Sequence, residues 1–224
     1  MPMPMLYEDW RPIYEAIIKD FGYDEQSDEN SARLLKLLTI NSDLISDDEI
    51  IIHEDVTVFG NSGNLDRDIG STAPRGTLIA SGSAVGRIAE LGIVPDIVVT
   101  DLDGDILPQI EASVNGAVTF IHAHGDNTEQ IQKYANKFIG PIVLTTQSRP
   151  DSTVSNYGGF TDGDRAVCIA RHFGAKNILL LGFDFEKPSK KEGSDPCTKI
   201  RKLQWAKRII FDRDDEGVSV IMPR

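Results

Sequence analysis

Residues 77–105 read TLIASGSAVGRIAELGIVPDIVVTDLDGD and contain the unit from which the rest of the chain is built. TLIAS at 77–81 is a short run of strand type. Residues 84–91 carry apolar side chains at helical spacing, Gly92 follows as a stop signal, and DIVVT at 96–100 is a second short run rich in β-branched residues. Strands that read apolar on both faces and alternate with helices predict a parallel sheet covered on both sides. Working outward, the same texture recurs at VTVFG (56–60), AVTFI (117–121), PIVLT (141–145), NILLLG (177–182) and a closing VSVIM, with further helices expected at 128–138 and 164–173. The expected fold class is therefore α/β, a Rossmann-like, mostly parallel sheet with helices on both faces.

Upstream of this pattern, residues 6–40 read as helical. Trp10, Ile13, Ile17 and Ile18 form one stripe, and Leu34, Leu35, Leu37 and Leu38 another, with the polar break DEQSDENS between them. Ser27 or Asp28 is the expected cap of the second helix. The chain thus divides into an acidic helical segment, 1–50, and a main domain, 51–224, joined by the linker SDDEIIIHED. No internal repeat or low-complexity stretch interrupts it.

Composition narrows the function classes. The 224 residues are 40% hydrophobic and 26% charged, ordinary values for a globular protein, and no apolar run approaches a membrane span. The start, MPMPMLYEDW, has no basic flank before an apolar core, so the expectation is a cytoplasmic protein with no membrane partner. Cys168 and Cys197 lack metal-type spacing and read as free thiols. A net charge of −12 argues against a general nucleic-acid binder. The charge is uneven, however: residues 1–55 hold 14 acidic and 4 basic residues, whereas 187–208 hold 8 basic and 2 acidic. Such a cationic island is either a solvated helix face or a place where a small anion gathers.

If the sheet is parallel, the loops that follow the strands share one rim, where open α/β sheets bind ligands. The most informative is DLDGD. Asp101, Asp103 and Asp105 are spaced two apart, so an extended chain would point all three into one volume. Mg2+ is the natural counter-ion, since it takes oxygen ligands and leaves positions for substrate phosphates. The chain is expected to turn after Gly104, which weakens the claim of Asp105. HAHGDN at 122–127 has the same alternation in His122, His124 and Asp126. Zinc is one reading of it. The preferred one completes a magnesium site from Asp101, Asp103 and Asp126, while His122, His124 and Asn127 contact phosphate or substrate. In FGNSGNL, residues 59–65, the backbone of Gly60, Asn61, Ser62, Gly63 and Asn64 is a candidate phosphate or base cradle. Ser81 and Gly82 precede a helix start that would suit an anion. NYGGFTDGDRA at 156–166 offers Thr161 or Asp162 as a helix cap, together with Asp164. GFDFEK places Asp184 at another strand end, and TKIRKLQWAKRII supplies Lys199, Lys202 and Lys207 as possible phosphate contacts.

Taken together, FGNSGNL, ELGIVPDIVVTDLDGD, HAHGDN, GFTDGDRA, LLGFDF and TKIRKLQWAKR resemble the archaeal 6-hydroxymethyl-7,8-dihydropterin pyrophosphokinases, the MptE-like family, over roughly residues 50–210. That family's core is in turn similar to thiamin pyrophosphokinase, in which a GI-x-PD lead and an aspartate pair hold Mg2+ and nucleotide. Gly92, Ile93, Pro95 and Asp96 match the lead, and Asp101 and Asp103 the pair. The first loop departs from the pattern, reading GNSGNL where a GxGxSL-like stretch is expected. The resemblance implies diphosphate transfer from ATP to the hydroxymethyl group of a reduced pterin with release of AMP, in tetrahydrofolate or methanopterin biosynthesis. It implies Mg2+ as cofactor, ATP and the pterin as small-molecule partners, and leaves a homo-oligomer open. Lys199 and Lys202 would neutralise outer phosphates, and Asp126 or Asp162 would accept the alcohol's proton. Two other classes compete. VVTDLDGD also resembles the motif of haloacid-dehalogenase-type phosphatases, with Asp101 as nucleophile, although that motif normally lies on a first strand and ends in threonine. A non-catalytic nucleotide or sugar-nucleotide binding module is the third.

Overall fold

The computed structural model describes residues 5–187, 195–213 and 217–223, so the part of the cationic island at 188–194 lies outside the described residues. Among the described residues eight strands form one sheet: β1 Asp55–Phe59, β2 Thr77–Ser81, β3 Ile97–Thr100, β4 Val118–Ala123, β5 Ile142–Thr146, β6 Val154–Ser155, β7 Asn177–Leu181 and β8 Ser219–Ile221. Their spatial order is β6-β5-β4-β3-β2-β1-β7-β8, and every neighbouring pair is parallel. The helices are α1 Tyr7–Phe21, α2 Glu25–Leu38, α3 Leu65–Ser71, α4 Ala84–Glu90, α5 Leu107–Val114, α6 Thr128–Tyr134, α7 Asp162–His172 and α8 Pro196–Phe211. The Rossmann-like arrangement expected from the strand–helix alternation is the one found.

Strand pleating explains the two-sided burial. Val56, Val58, Ile79, Val99, Phe120 and Leu180 face α7 and pack with Val167 and Ile169. Their neighbours in sequence point the other way. Val98, Ala80 and Leu181 pack with α3 and α4, and Ile121 and Leu144 pack with Leu35 of α2 and Ile131 of α6. Each such side chain contributes about 1.5–3 kcal/mol on burial, which ties the helices to both faces.

The amino-terminal helices are part of this packing. Trp10, Tyr14 and Ile17 of α1 are buried against Phe160, Cys168 and Ile209, and the Trp10 indole donates to the Gln147 carbonyl at 2.8 Å. Residues 43–45 run beside the start of β5, with Leu44 bridged to Ile142. The cap of α2 differs from expectation. Asp24 takes that role, accepting from the amides of Gln26 and Ser27, while Asp28 lies one turn inside and is buried. Three elements escaped the sequence pattern: α3, whose seven residues include a glycine and three charges; α5, which opens on Pro108; and the two-residue β6.

Strands β1 to β6 build outward in one direction, and β7 then returns to the other side of β1. The strand order therefore reverses between β1 and β7, which makes the crevice above their carboxyl ends the topological switch point.

Candidate functional site

The DLDGD loop is not an extended continuation of β3. The strand ends at Thr100, and Leu102 adopts a left-handed conformation, φ 66°, rare for a branched side chain. Its side chain is buried with Ile106 and Ile121, and the Thr100 hydroxyl accepts from its amide at 2.8 Å, so packing and a hydrogen bond hold the turn. Asp101 and Asp103 reach the same cavity through this turn rather than through strand alternation. The Asp103 amide donates back to Asp101 Oδ1 at 3.2 Å, and the buried Gln109 amide fixes the Asp103 and Asp105 carbonyls at 3.1 and 2.9 Å. Asp105 is not among the lining residues of that cavity.

The cavity has a volume of about 600 Å³, and its lining includes Asp101, Asp103, His124, Asp126 and Asp162 together with Lys199 and Lys202. A second cavity of about 290 Å³ lies over the β1/β7 switch point and is lined by Gly60, Asn61, Ser62, Ser81, Phe183 and Phe185. Thr161, Lys199 and Lys202 line both. A third recess, about 230 Å³, opens above β4 and β5 under the α1–α2 turn and shares Tyr23, His124, Asp126 and Gln147 with the first. The sheet order thus sets these spaces in a row: switch-point cavity, carboxylates above β3, recess above β4 and β5. With strands about 4.8 Å apart, β1 and β3 are about 10 Å apart.

Asp162 is the carboxylate that the fold adds to the Asp101–Asp103 pair. It follows Thr161, which caps α7 as expected, and takes a hydrogen bond from the Asp101 amide. Gly82, at φ 48°, permits this approach, because a Cβ there would lie 2.7 Å from Asp162 Oδ2. Burial pushes the Asp162 carboxyl well above the usual range, and the charges of Asp101 and Asp103 add to the shift against the pull of Arg165. Burial also raises Asp101, but His124, Arg165 and the Asp103 amide outweigh it and leave the carboxyl below its ordinary value. Arg165 is the one buried cation of this group, with Nη1 at 3.0 Å from Asp162 Oδ1 and Nη2 donating to the Phe160 carbonyl at 3.1 Å.

The remaining candidates separate into those that face the cavities and those that support them. His124 Nε2 lies 3.6 Å from Asp101 Oδ2. Its Nδ1 accepts from the Asp126 amide at 3.3 Å, which places the ring proton on Nε2, toward Asp101. His122 does not share this role. It is 1% exposed on the α7 face of β4, paired in register with Thr145, whose hydroxyl is 3.0 Å from Nδ1. Burial first, then the charges of Arg165 and His124, depress its pKa well below the usual value, so it is a neutral supporting ring. Asn127 is likewise structural. Its amide donates to the Asp101 and His122 carbonyls at 2.8 and 2.7 Å, and its Oδ1 accepts from the His124 amide. Asp164 is buried and accepts from the amides of Phe160 and Thr161 and from the Thr161 hydroxyl, which closes the cap of α7.

In the first loop, the Gly60 amide donates to the Leu181 carbonyl, the Ser62 amide to the Gly182 carbonyl and the Asn64 amide to the Ser62 hydroxyl, so three of the expected cradle amides are already bonded. Gly63 and Asn64 are not on the cavity wall, and the Ser81 hydroxyl is held by the Phe59 carbonyl. Gly60 and Gly182 matter through their lack of side chain: a Cβ on either would fall within 2.6 Å of the other's carbonyl oxygen. Lys207 lines neither cavity. At 1.5 Å per residue it lies about 12 Å beyond Lys199 along α8. The PD lead belongs to the opposite rim, where Asp96 accepts from the Leu78 amide at 2.8 Å and ties β3 to β2.

Tyr23 and Gln147, which line the main cavity, carried no signal in the sequence, and Asp28 read only as a helix cap. Asp28, 2% exposed, accepts from the Tyr14 hydroxyl at 2.7 Å, the Gln147 amide at 2.9 Å and the Gly125 backbone at 2.6 Å. It fastens the amino-terminal helices to the loop that carries His124 and Asp126.

Oxygen donors that repel one another suit a hard cation. Among the described residues no group of three or more His, Cys, Asp or Glu side chains is close enough to cage a metal. The expected triad of Asp101, Asp103 and Asp126 is therefore not assembled, although all three line the same cavity. A pair of carboxylates is still the number from which Mg2+ is commonly held when phosphate oxygens complete its shell.

A parallel sheet with carboxylates on its carboxyl rim, in a cavity that shares Thr161, Lys199 and Lys202 with the one at the switch point, places the chain among Rossmann-like α/β proteins. More narrowly, the chain belongs to the 6-hydroxymethylpterin diphosphokinase MptE-like family, whose family model matches residues 29–190. It is 40% identical over 231 residues, 97% of this chain and 98% of the relative, to a Pyrococcus furiosus protein named 6-hydroxymethyl-7,8-dihydropterin pyrophosphokinase. Proteins of the same name from Methanothermobacter thermautotrophicus and Methanocaldococcus jannaschii are 38% and 34% identical, covering 90% and 91% of this chain and 92% and 93% of theirs. Among the described residues no helix is long and apolar enough to cross a membrane.

Proposed function

We propose that this chain transfers the terminal diphosphate of ATP to the hydroxymethyl group of 6-hydroxymethyl-7,8-dihydropterin, with Mg2+ as cofactor and AMP as the second product. The observation that carries the proposal is the presence of Asp101, Asp103, Lys199 and Lys202 in the lining of one cavity. The relatives that are 34–40% identical are named 6-hydroxymethyl-7,8-dihydropterin pyrophosphokinase, which supports the acceptor and the transferred group.

The nucleoside of ATP fits the switch-point cavity, whose wall of Phe183 and Phe185, ring centroids 5.9 Å apart, offers apolar faces to a base. The triphosphate then passes Thr161, Lys199 and Lys202, the residues common to both cavities, and brings its β-phosphorus over Asp101 and Asp103. Mg2+ held by those two carboxylates would supply neutralisation of the oxygens bridging the transferred group. Lys199 and Lys202 offset charge on the outer phosphates. In-line displacement forms the bond from the alcohol oxygen to the β-phosphorus and breaks the bond to the α-phosphate oxygen, which leaves on AMP. Asp126 receives the alcohol's proton. Its carboxylate has no hydrogen-bond or ion-pair partner among the described residues, whereas Asp162 is tied to Arg165 and the Asp101 amide.

The test is metal-dependent turnover in Asp101→Asn and Asp103→Asn. Each loses activity by about 100-fold or more, as removal of a charge-stabilising group does in comparable sites, with an unchanged circular dichroism spectrum. Full activity in either variant removes the metal assignment.

A further inference from the structure

We infer that the amino-terminal helical segment builds the seat of the acceptor ring, with Tyr23 as the residue that selects it; this rests on the function proposed above. In-line attack places the incoming alcohol on the side of the β-phosphorus opposite the departing AMP. With the nucleoside over β1 and β7 and the carboxylates over β3, the opposite side is the recess over β4 and β5, by the order of the sheet.

That recess suits a flat bicyclic ring with several N–H donors. It measures about 230 Å³ and joins the main cavity along Tyr23, His124, Asp126 and Gln147. Its aromatic side is preorganised. Tyr23 stacks on Phe21 at 5.3 Å and 13°, and lies 6.4 Å from Phe160, while Lys202 Nζ sits 5.8 Å from the Tyr23 centroid and 5.5 Å from that of Phe160. A ring entering here meets the Tyr23 ring and the carboxylates of Asp24, Asp28 and Asp126, a field that favours donor edges over acceptor edges. The hydroxymethyl substituent then points past Asp126 to the β-phosphorus. Asp28 holds this wall in place by joining α1, α2 and the Gly125 loop. The segment therefore contributes to acceptor choice and not only to the core.

The experiment compares wild type, Tyr23→Ala and Tyr23→Phe. Binding of the reduced pterin is read from its own fluorescence in the presence of Mg2+ and a non-hydrolysable ATP analogue, and turnover is measured alongside. Tyr23 is partly exposed, so its truncation leaves the fold intact. In Tyr23→Ala the Kd and KM for the pterin rise about tenfold, the loss expected for one stacking face, while the KM for ATP stays within about twofold and Tyr23→Phe behaves as wild type. An unchanged pterin Kd in Tyr23→Ala, or a rise confined to the KM for ATP, with wild-type turnover intact, overturns the seat alone. A wild type that binds ATP but never forms AMP with the pterin sinks the functional reading itself.

Discussion

Asp28→Asn is the substitution whose effect follows most directly from the geometry. The carboxylate presents Oδ2 to the Tyr14 hydroxyl and the Gln147 amide and Oδ1 to the Gly125 backbone. Asparagine has one acceptor oxygen. If its nitrogen takes the place of Oδ1, the Gly125 N–H meets a donor and cannot turn away. If it takes the place of Oδ2, the Tyr14 hydroxyl can rotate to accept, but the Gln147 amide nitrogen is opposed. Either way one charge-assisted bond is lost, worth about 1.5–3 kcal/mol, and the survivors weaken because the acceptor is now neutral, giving a total of about 2–4 kcal/mol. That is less than the ~5–15 kcal/mol stability of a typical domain, so the variant folds. Urea unfolding followed by circular dichroism measures the loss. Turnover measures a second consequence: with the His124–Asp126 loop loosened, kcat falls by about tenfold, as small misplacements of a reacting group do, while the KM for ATP changes less, because the nucleoside cavity shares no lining residue with the recess that Asp28 lines. Tyr14→Phe removes a single bond and costs about half as much. A stability within ~0.5 kcal/mol of wild type, together with unaltered kcat, would show that Asp28 fastens nothing and refute the reasoning.

Other outcomes follow from the same structure. Lys199→Ala and Lys202→Ala each raise the KM for ATP, whereas Lys207→Ala, on a part of α8 away from both cavities, leaves it unchanged; steady-state kinetics at saturating pterin separates the three. Asp47 is held below the usual carboxylate range, chiefly by His172, 3.1 Å away, and also by the Tyr157 hydroxyl at 2.5 Å, against the opposing effect of burial. Its contribution to stability is present above the ordinary carboxylate pKa of about 3.9 and is lost as pH falls through the lower folded value. Asp47→Asn is thus less stable than wild type at neutral pH, and the difference closes in acid when thermal unfolding is followed across the range.

How much of this could be read from the chain alone differs between the fold and the site. The strands announced themselves because each is a short apolar run between turns, and β1 to β5 and β7 fall within two residues of their expected limits. The elements that went unread are those whose local signal is weak: β6 has two residues, and α5 begins on a proline that looks like a break. Asp101 and Asp103 were legible as a pair, since the motif is contiguous. The cause of their convergence was not, because nothing in DLDGD declares that Leu102 will be left-handed. His122 and His124 share parity in sequence, yet packing against Thr145 and α7 covers only the first. Asp28 is the extreme case. Its partners lie 14, 97 and 119 residues away, so a local reading could only see a helix cap. Asp162 joined the carboxylates for the same reason, through contact with Gly82 and the Asp101 amide rather than through any spacing.

The proposed transfer is defined by which bond of ATP is broken. The direct measurement is incubation of the purified protein with ATP labelled on the β-phosphorus, Mg2+ and 6-hydroxymethyl-7,8-dihydropterin, followed by separation of AMP, ADP and the pterin products. The expected result is AMP and labelled pterin diphosphate in equal amounts, with neither formed when the pterin is omitted. ADP with an unlabelled pterin monophosphate, or phosphate release through a phosphoaspartyl protein, would contradict it.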